Sequence, residues 1–394
     1  MVDLLPVADA QARLFALAPP VGSETLPLKD AAGRWLAGAV HATRDQPFAD
    51  LSAMDGYALR FADLQQSLKV IGESAAGRGF SGLIGAGEAV RIFTGAPVPA
   101  GADTILVQEE AARDGDTLTL NGEGPPRIGA HIRPRAQDFS RGAQILPEGA
   151  RLTPAAIGLA AAAGHGTLRV HRAIRVAIVS TGDELVPAGA EVTGAQLPSA
   201  NAPMLAALLA DLPVSIVDGG IVPDDLAAMT AALAGIDADI IVTTGGASVG
   251  DHDLVRPALL AAGGSLDFWK IAMRPGKPLL AGRLGDAAVL GLPGNPVAAF
   301  VTATLFLRPL IAHLSGAADP LPRRLSAPLA HPLAANGARE DYIRARRTAT
   351  GLDAYPVQDS GMLAALAGSD ALIIRPIGAP SAAAGDIAEY IALA

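Results

Sequence analysis

In the middle of the chain, short unbroken apolar runs alternate with helix-length segments, and that alternation predicts a layered α/β unit. Ile240–Thr243 is a continuous β-branched run, as expected of a strand buried on both faces of a parallel sheet. It turns abruptly into Gly245, Gly246, Ser248 and Gly250, followed by Asp251 and Asp253. Ile174–Val179 and Val214–Val217 read as further strands, the first ending in Ser180-Thr-Gly-Asp-Glu184. Asn201 can cap a helix reaching Leu212, Asp224 and Asp225 can cap one reaching Ala234, and another covers Leu254–Ala262. Leu266–Met273 is expected to be a strand leading into Arg274-Pro-Gly-Lys277. Pro278–Arg283 and Ala287–Leu292 read as a pair turning at Gly285-Asp286, with Pro293-Gly-Asn-Pro296 opening a helix from Val297 to about Leu314. Strands alternating with helices imply a parallel sheet with right-handed crossovers.

The flanks read differently. Val7–Ala16 carries apolar residues at helical spacing, and Asp30 is placed to cap a second helix over Ala31–Ala37. Tyr57–Arg60, Leu68–Ile71, Ala89–Phe93, Thr104–Gln108 and Thr117–Leu120 are short strands between Gly-rich turns, a small β unit. Thr153-Pro154 starts a helix that stops at Gly164. This helix and the N-terminal pair flank the β unit and are expected to pack as one discontinuous domain. Past Pro320 and Pro322 the pattern returns to strands, at Arg324–Ala330, Tyr342–Arg347, Ala371–Arg375 and Ile387–Ile391. The boundaries drawn are 1–44 with 139–172, 45–138, 173–318 and 319–394.

Composition narrows the function. A formal net charge of −9 argues against nucleic-acid binding as the main role, and no cysteine is available for disulfides, thiolate metal sites or nucleophiles. The start lacks a signal-peptide pattern, and the apolar runs are broken by Gly, Pro or charge before membrane-helix length. A soluble cytoplasmic protein, binding neither nucleic acid nor membrane, is expected.

The chemistry concentrates in four loops that follow segments of the α/β unit: Ser180–Glu184, Thr243–Asp253, Arg274–Lys277 and Pro293–Pro296. In a doubly wound sheet such ends share one edge. Their glycine N–H groups, hydroxyls, acids and cations suit a phosphorylated ligand and a divalent metal. Plainer readings stand beside these: a strand-to-helix turn at Thr243–Asp253, helix caps at Glu184 and Asp253, a strand cap at Thr94. Asp55 reads as part of a surface turn, and Arg133, Arg135 and Asp138 as a salt-bridged surface loop. The α/β unit contains no Walker loop and no Gly-x-Gly-x-x-Gly fingerprint.

Six motifs occur in order: Ser52-Ala-Met-Asp-Gly-Tyr-Ala58, Thr94-Gly-Ala-Pro-Val-Pro99, Ser180-Thr-Gly-Asp-Glu-Leu185, Thr244-Gly-Gly-Ala-Ser-Val-Gly250, Pro275-Gly-Lys-Pro278 and Gly291-Leu-Pro-Gly-Asn-Pro-Val297. Together they resemble the MoeA family, the molybdopterin molybdenumtransferases, whose animal relative is the E domain of gephyrin. The resemblance spans nearly the whole chain. It implies an elongated homodimer that is multidomain α/β plus β: a central doubly wound parallel-sheet, molybdopterin-binding domain, a small β-rich insert and a C-terminal β-barrel-like domain. The implied reaction inserts molybdate into adenylylated molybdopterin with Mg2+, releasing AMP and molybdenum cofactor.

Carried over by position, the resemblance implies a catalytic set of Asp55, Asp138, Glu184 and Asp253, with Glu184 and Asp253 also metal ligands. Asp55, Thr94 and Asp138 would line the cleft from the insert, across the dimer. Asp225, with Asp224 as the alternative, and Ser248 would contact nucleotide, pterin phosphate and metal. Thr181, Gly182, Gly245, Gly246, Gly250, Pro293, Gly294 and Pro296 would complete the binding loops. Arg274, Lys277, Arg344 and Ser360 would form the molybdate pocket, with Lys270 nearby and Arg339 the alternative to Arg344. Two positions depart from the family pattern: Arg274 stands where many relatives carry Lys, and Ala298 where they often carry Ser. The first keeps charge but changes its geometry to a planar fork; the second removes a hydroxyl. Both bear on the choice of molybdate over tungstate. The upstream adenylyltransferase and apo-molybdoenzymes are the implied partners. The competing functions are a molybdopterin adenylyltransferase and a non-catalytic dimeric scaffold.

Overall fold

The structure, a computed structural model, describes residues 4–246 and 254–393. Its centre is a sheet of six strands: β1 (Ile174–Thr181), β2 (Val214–Val222), β3 (Ile240–Thr244), β4 (Ser265–Lys270), β5 (Pro278–Leu284) and β6 (Ala287–Leu292). The spatial order is β2-β1-β3-β6-β5-β4. The first four are mutually parallel, and β5 alone is reversed, antiparallel to both β6 and β4. β5 is the reversed member of the pair expected to turn at Gly285-Asp286. A two-residue turn at Gly285-Asp286 can join only antiparallel strands, and it fixes the direction of β5.

Every residue of β3 and β6 is buried, which explains their unbroken apolar runs. Alternate side chains serve opposite faces. Ile240 and Val242 face a core shared with α1 (Val7–Ala16), α2 (Asn201–Leu208) and the helical run at 296–314. Ile241 faces a second core with α3 (Leu226–Ala234) and α4 (Val255–Ala261). The run at 296–314 comprises α5 (Pro296–Thr302), a π-helical turn at Ala303–Leu307 and α6 (Arg308–Leu314). Its mean hydropathy of 1.7 and its 19 residues would suit a membrane crossing, but 83% of it is buried inside the protein as the core helix. Gln11 of α1 donates Nε2 to the Leu305 carbonyl at 2.8 Å, anchoring α1 on the wide turn.

Two N-terminal expectations change. The apolar stripe of α1 joins the central core, and Leu5 pairs with Ile271, so α1 packs on the sheet. Residues 31–37 form no helix. Leu28–Asp30 is a 3₁₀ turn, Gly33 takes φ 78°, and Trp35 and Leu36 pair with Arg151 and Val170. Tertiary pairing outweighs the local helix signal there. Leu36, Leu152, Ala160 and Val170 form a separate core with the helix Pro154–Ala162, whose first turn is capped by Thr153 Oγ1 accepting from Ala156 N–H at 3.2 Å.

The insert is a six-stranded sheet ordered Thr104–Val107, Gly56–Leu59, Glu88–Ile92, Leu68–Ser74, Thr117–Leu120, Ala111–Asp114. The last strand escaped sequence reading because Ala-Ala-Arg-Asp has no apolar alternation and lies at the edge. In the C-terminal unit Glu340–Thr348, Ala371–Arg375, Ile387–Ala392 and Arg324–Pro328 pair in that order. The sheet curls back on itself: Ala330 N–H donates to the Leu352 carbonyl at 2.9 Å, and Gly351–Ala354 pairs with Glu340–Thr348.

The expected strand Leu266–Met273 is divided. β4 ends at Lys270, and Met273–Arg274 crosses to the C-terminal sheet, where Met273 pairs with Glu340 and Arg274 with Asp341. The chain therefore joins the two units at the Arg274-Pro-Gly-Lys277 turn.

Candidate active site

The C-terminal ends of β1, β3 and β6 open onto a cleft of about 740 Å³. Thr181, Gly182 and Glu184 follow β1; Thr244, Gly245 and Gly246 close β3; Pro293–Pro296 follows β6. Asp224, the start of α2 and Pro278 complete the central wall, and Gly361 and Leu363 enter from the C-terminal unit. Of the expected binding residues, Thr181, Gly182, Glu184, Gly245, Gly246, Pro293, Gly294 and Pro296 are thus brought together. Gly245 has φ 97°, and a Cβ there would stand 2.6 Å from the Thr181 carbonyl oxygen. Only glycine allows these two loops to approach so closely.

The acids separate by task. Glu184 and Asp224 line the cleft. Asp183 and Asp224 are tied reciprocally: Asp224 N–H donates to Asp183 Oδ1 at 3.0 Å, and Asp183 N–H to Asp224 Oδ2 at 3.4 Å. Asp225 caps α3 instead, accepting from Ala228 N–H at 2.7 Å, so Asp224 takes the cleft position first expected of Asp225. Ser248, Gly250 and Asp253 lie outside the described residues. Among the described residues no cluster of three or more His, Asp or Glu side chains could hold a metal unaided.

Asn201 is a lining residue that sequence reading treated only as a helix cap. It makes no capping bond; its Nδ2 donates to the Gly294 carbonyl at 2.8 Å, tying α2 to the Pro293–Pro296 loop. Its Oδ1 is buried without a hydrogen-bond partner among the described residues. An unpaired buried acceptor beside a cleft is costly unless a ligand donor meets it.

A second, smaller hollow measures about 40 Å³. Arg274, Pro275, Val297, Asp341, Arg344 and Gln358 are among its walls. The linings are close in sequence: Pro296 and Gly361 line one, Val297 and Gln358 the other. Gly276, at φ 104°, seats the turn against the core helix, where a Cβ would come 2.4 Å from Thr302 Cγ2. Arg274 and Lys277 are exposed on that turn, and Arg274 Nη2 donates to the buried Asp341 carboxylate. Burial raises the Asp341 pKa above its ordinary value, and the attraction of Arg274 only partly opposes this. Lys270, close by in sequence, lies over the Trp269 ring, 4.5 Å from its centroid.

Ser360 stands between the hollows, accepting from Asn295 Nδ2 at 3.0 Å while its carbonyl accepts from Val297 N–H at 3.0 Å. Arg344 lines the smaller hollow and also serves the loop beside it. It is only 1% exposed, and its guanidinium donates to the carbonyls of Met362 at 2.9 Å, Asp359 at 2.8 Å and Val357 at 3.2 Å. Facing inward from its strand, it is engaged in shaping the loop that carries Ser360. Arg339, the alternative, is half-buried and contributes positive charge near Asp341.

Asp55, Thr94 and Asp138 line neither hollow. Asp55 Oδ1 accepts from Thr94 N–H at 2.7 Å and Thr94 Oγ1 at 2.8 Å. These bonds, with a smaller contribution from Arg91, hold its carboxyl below the usual range. The Thr94 hydroxyl therefore orients Asp55. Asp138 is exposed, and its N–H donates to the Gln46 carbonyl. Arg135 pairs with Asp45 rather than with Asp138.

Three family profiles match successive parts of the chain: MoeA N-terminal region (domain I and II) over residues 5–164, probable molybdopterin binding domain over 177–313, and MoeA C-terminal region (domain IV) over 326–393. A molybdopterin molybdenumtransferase of Haemophilus influenzae is 39% identical over 324 residues, covering 79% of this chain and 78% of that protein. One from Nostoc sp. is 36% identical over 394 residues, covering 94% and 90%. The crystal structure of the molybdopterin biosynthesis MoeA protein from Pyrococcus horikoshii OT3 superposes with a TM-score of 0.84 at 25% identity, over 99% of this chain and 100% of that one. A second structure, titled as the molybdopterin biosynthesis MoeA protein of Pyrococcus horikosii, gives 0.81 at 27% identity, over 99% of each chain.

Proposed function

The chain belongs to the MoeA family, enzymes of molybdenum cofactor biosynthesis, and from that membership we propose that it inserts molybdate into adenylylated molybdopterin, releasing AMP and molybdenum cofactor. The observation that carries the reading is the closeness of a glycine-walled cleft and a cation-bearing hollow, whose walls include the consecutive residues Pro296 and Val297. A phosphate-linked pterin and a tetrahedral oxyanion need such neighbouring compartments.

In this reading the N–H groups of Gly246 and Gly294 meet the phosphates, because backbone donors at strand ends need no side-chain ordering, while Gly182 and Gly245 shape the loops and donate their own N–H groups to the Val222 and Leu292 carbonyls. Asn201 offers its unpaired Oδ1 to a donor on the pterin or the adenosine. Ser248 and Gly250 extend the phosphate loop. Arg274, Lys277 and Ser360 meet molybdate, with Lys270 adding positive charge close by. Arg344 acts by shaping the Ser360 loop.

The donor set fits Mg2+, which commonly binds through one or two carboxylates plus substrate phosphates. Glu184 and Asp224 supply hard oxygens in the cleft, and Asp253 is the further candidate ligand. When bound, the ion would neutralise charge as the phosphoanhydride is cleaved. A homodimer belongs to the same proposal, since it would bring Asp55, Thr94 and Asp138 of one subunit to the cleft of the other. Delivery of substrate by the upstream adenylyltransferase, transfer of product to apo-molybdoenzymes and a cytoplasmic setting complete it.

The test is AMP release from adenylylated molybdopterin by the purified chain. Release that requires molybdate and is lost in Glu184→Gln supports the reading. Release indifferent to molybdate contradicts it, as does transfer of AMP from ATP onto molybdopterin.

A further inference from the structure

We infer that Asp341 is a positioning residue for oxyanion recognition: its buried carboxylate holds one edge of the Arg274 guanidinium and leaves the remaining N–H groups turned to a tetrahedral anion. The pair is markedly asymmetric. The Asp341 side chain is 7% exposed and that of Arg274 58% exposed, so the carboxylate is the fixed member and the guanidinium the presented one. Backbone pairing sets the register: Arg274 lies opposite Asp341, and Glu340 N–H donates to the Ala272 carbonyl at 2.8 Å. Only Nη2 of Arg274 is committed to Asp341, and both residues line the smaller hollow.

Other charges around Asp341 have their own partners or a lesser share. Arg375, opposite it on the neighbouring strand, donates to the carbonyls of Ala334 and Pro380. Glu340 accepts from the Tyr342 hydroxyl, and Arg339 acts on Asp341 more weakly than Arg274 does. A planar guanidinium can serve a carboxylate and an oxyanion from different edges at once; a lysine ammonium, a point charge on a flexible stem, cannot be oriented that way. Arg274 and Asp341 therefore work as one unit. Because burial already penalises the Asp341 charge, this carboxylate is poorly explained as a stabilising ion pair.

The inference rests on the reading that Arg274 meets molybdate, and the experiment separates the two. Molybdate is titrated at saturating adenylylated molybdopterin, AMP release is followed, and Arg274→Ala, Arg274→Lys, Asp341→Asn and Asp341→Glu are compared with the unmodified chain. Asp341→Asn is expected to raise the KM for molybdate by about 10-fold with kcat changed less than about 2-fold. Its KM for the adenylylated pterin and its melting temperature should not worsen, and Asp341→Glu should recover most of the molybdate KM. Arg274→Lys reads the same geometry in a variant altered at an exposed side chain, and should raise the molybdate KM several-fold although charge is kept. The inference is overturned if Arg274→Ala raises that KM while Asp341→Asn and Arg274→Lys do not. It is equally overturned if Asp341→Asn lowers stability and weakens both substrates alike. If Arg274→Ala leaves the molybdate KM unchanged, the oxyanion reading of Arg274 itself fails.

Discussion

Asn295 and Ser360, 65 positions apart, are joined side chain to side chain, Nδ2 donating to Oγ at 3.0 Å. Asn295 belongs to the loop that leaves the central sheet, and Ser360 to the loop of the C-terminal unit. This bond, the Val297–Ser360 backbone bond and the Arg274–Asp341 pair fasten the two units on either side of the smaller hollow. Asn295→Ala and Ser360→Ala should each cost about 1 kcal/mol or less, since the bond is exposed. The double variant should fall short of additivity by roughly 0.5 kcal/mol or more in denaturant unfolding. Strict additivity would show that the bond does not couple the units.

Arg344 presents a harsher case. Arg344→Met removes a buried cation and leaves the carbonyls of Val357, Asp359 and Met362 without it. These bonds are part-buried and their acceptors sit in exposed residues, so water takes up some of the loss; at about 0.5–1.5 kcal/mol for each bond the variant should still melt below the parent. Limited proteolysis should then cut within residues 357–362. Arg344→Lys should rescue little, because one ammonium cannot reach three diverging acceptors. Normal melting with selective loss of molybdate use would instead restore Arg344 as a direct oxyanion ligand.

Lys277→Ala should raise the molybdate requirement while leaving affinity for the adenylylated pterin unchanged. Lys277 lines neither hollow but is exposed on the same turn as Arg274, which lines the smaller one. Titration of each substrate at saturation of the other checks this, and equal weakening of both would contradict it.

Acid should release the Asp55–Thr94 link. Thr94 holds the Asp55 carboxyl below its ordinary value, so the folded state favours the ionised form. That contribution is present above about pH 3.9, the unperturbed aspartate value, and is lost as pH falls through the depressed folded value. Thr94→Val removes the hydroxyl donor but keeps the backbone one. Carboxyl NMR should show the Asp55 titration moving upward, part of the way toward 3.9. An unchanged titration would mean that the hydroxyl does not set it.

Much of this molecule was legible in its sequence because the signals were local. β3 and β6 are wholly buried and announce themselves as unbroken apolar runs. The glycines at 245 and 246 mark where loops must touch, since positive φ and a close approach to Thr181 exclude other residues. What escaped depends on distant partners. Ala31–Ala37 carries a helix signal that Val170 and Arg151 override by pairing with it. Met273 and Arg274 look like the end of one strand and begin another sheet, because Glu340 and Asp341 wait there. Asp224 and Asp225 are adjacent acids, and only the start of α3 decides which one caps and which faces the cleft. Arg344 reads as a free cation until the carbonyls of 357–362 are seen around it.

The most direct test is a crystal of the chain with adenylylated molybdopterin and molybdate, with an anomalous difference map recorded at the molybdenum absorption edge. The molybdenum peak is expected beside Arg274, Lys277 and Ser360, with the pterin phosphate against the Gly246 and Gly294 loops. A peak away from those three residues, or a phosphate bound outside the β1–β3–β6 rim, would contradict this placement.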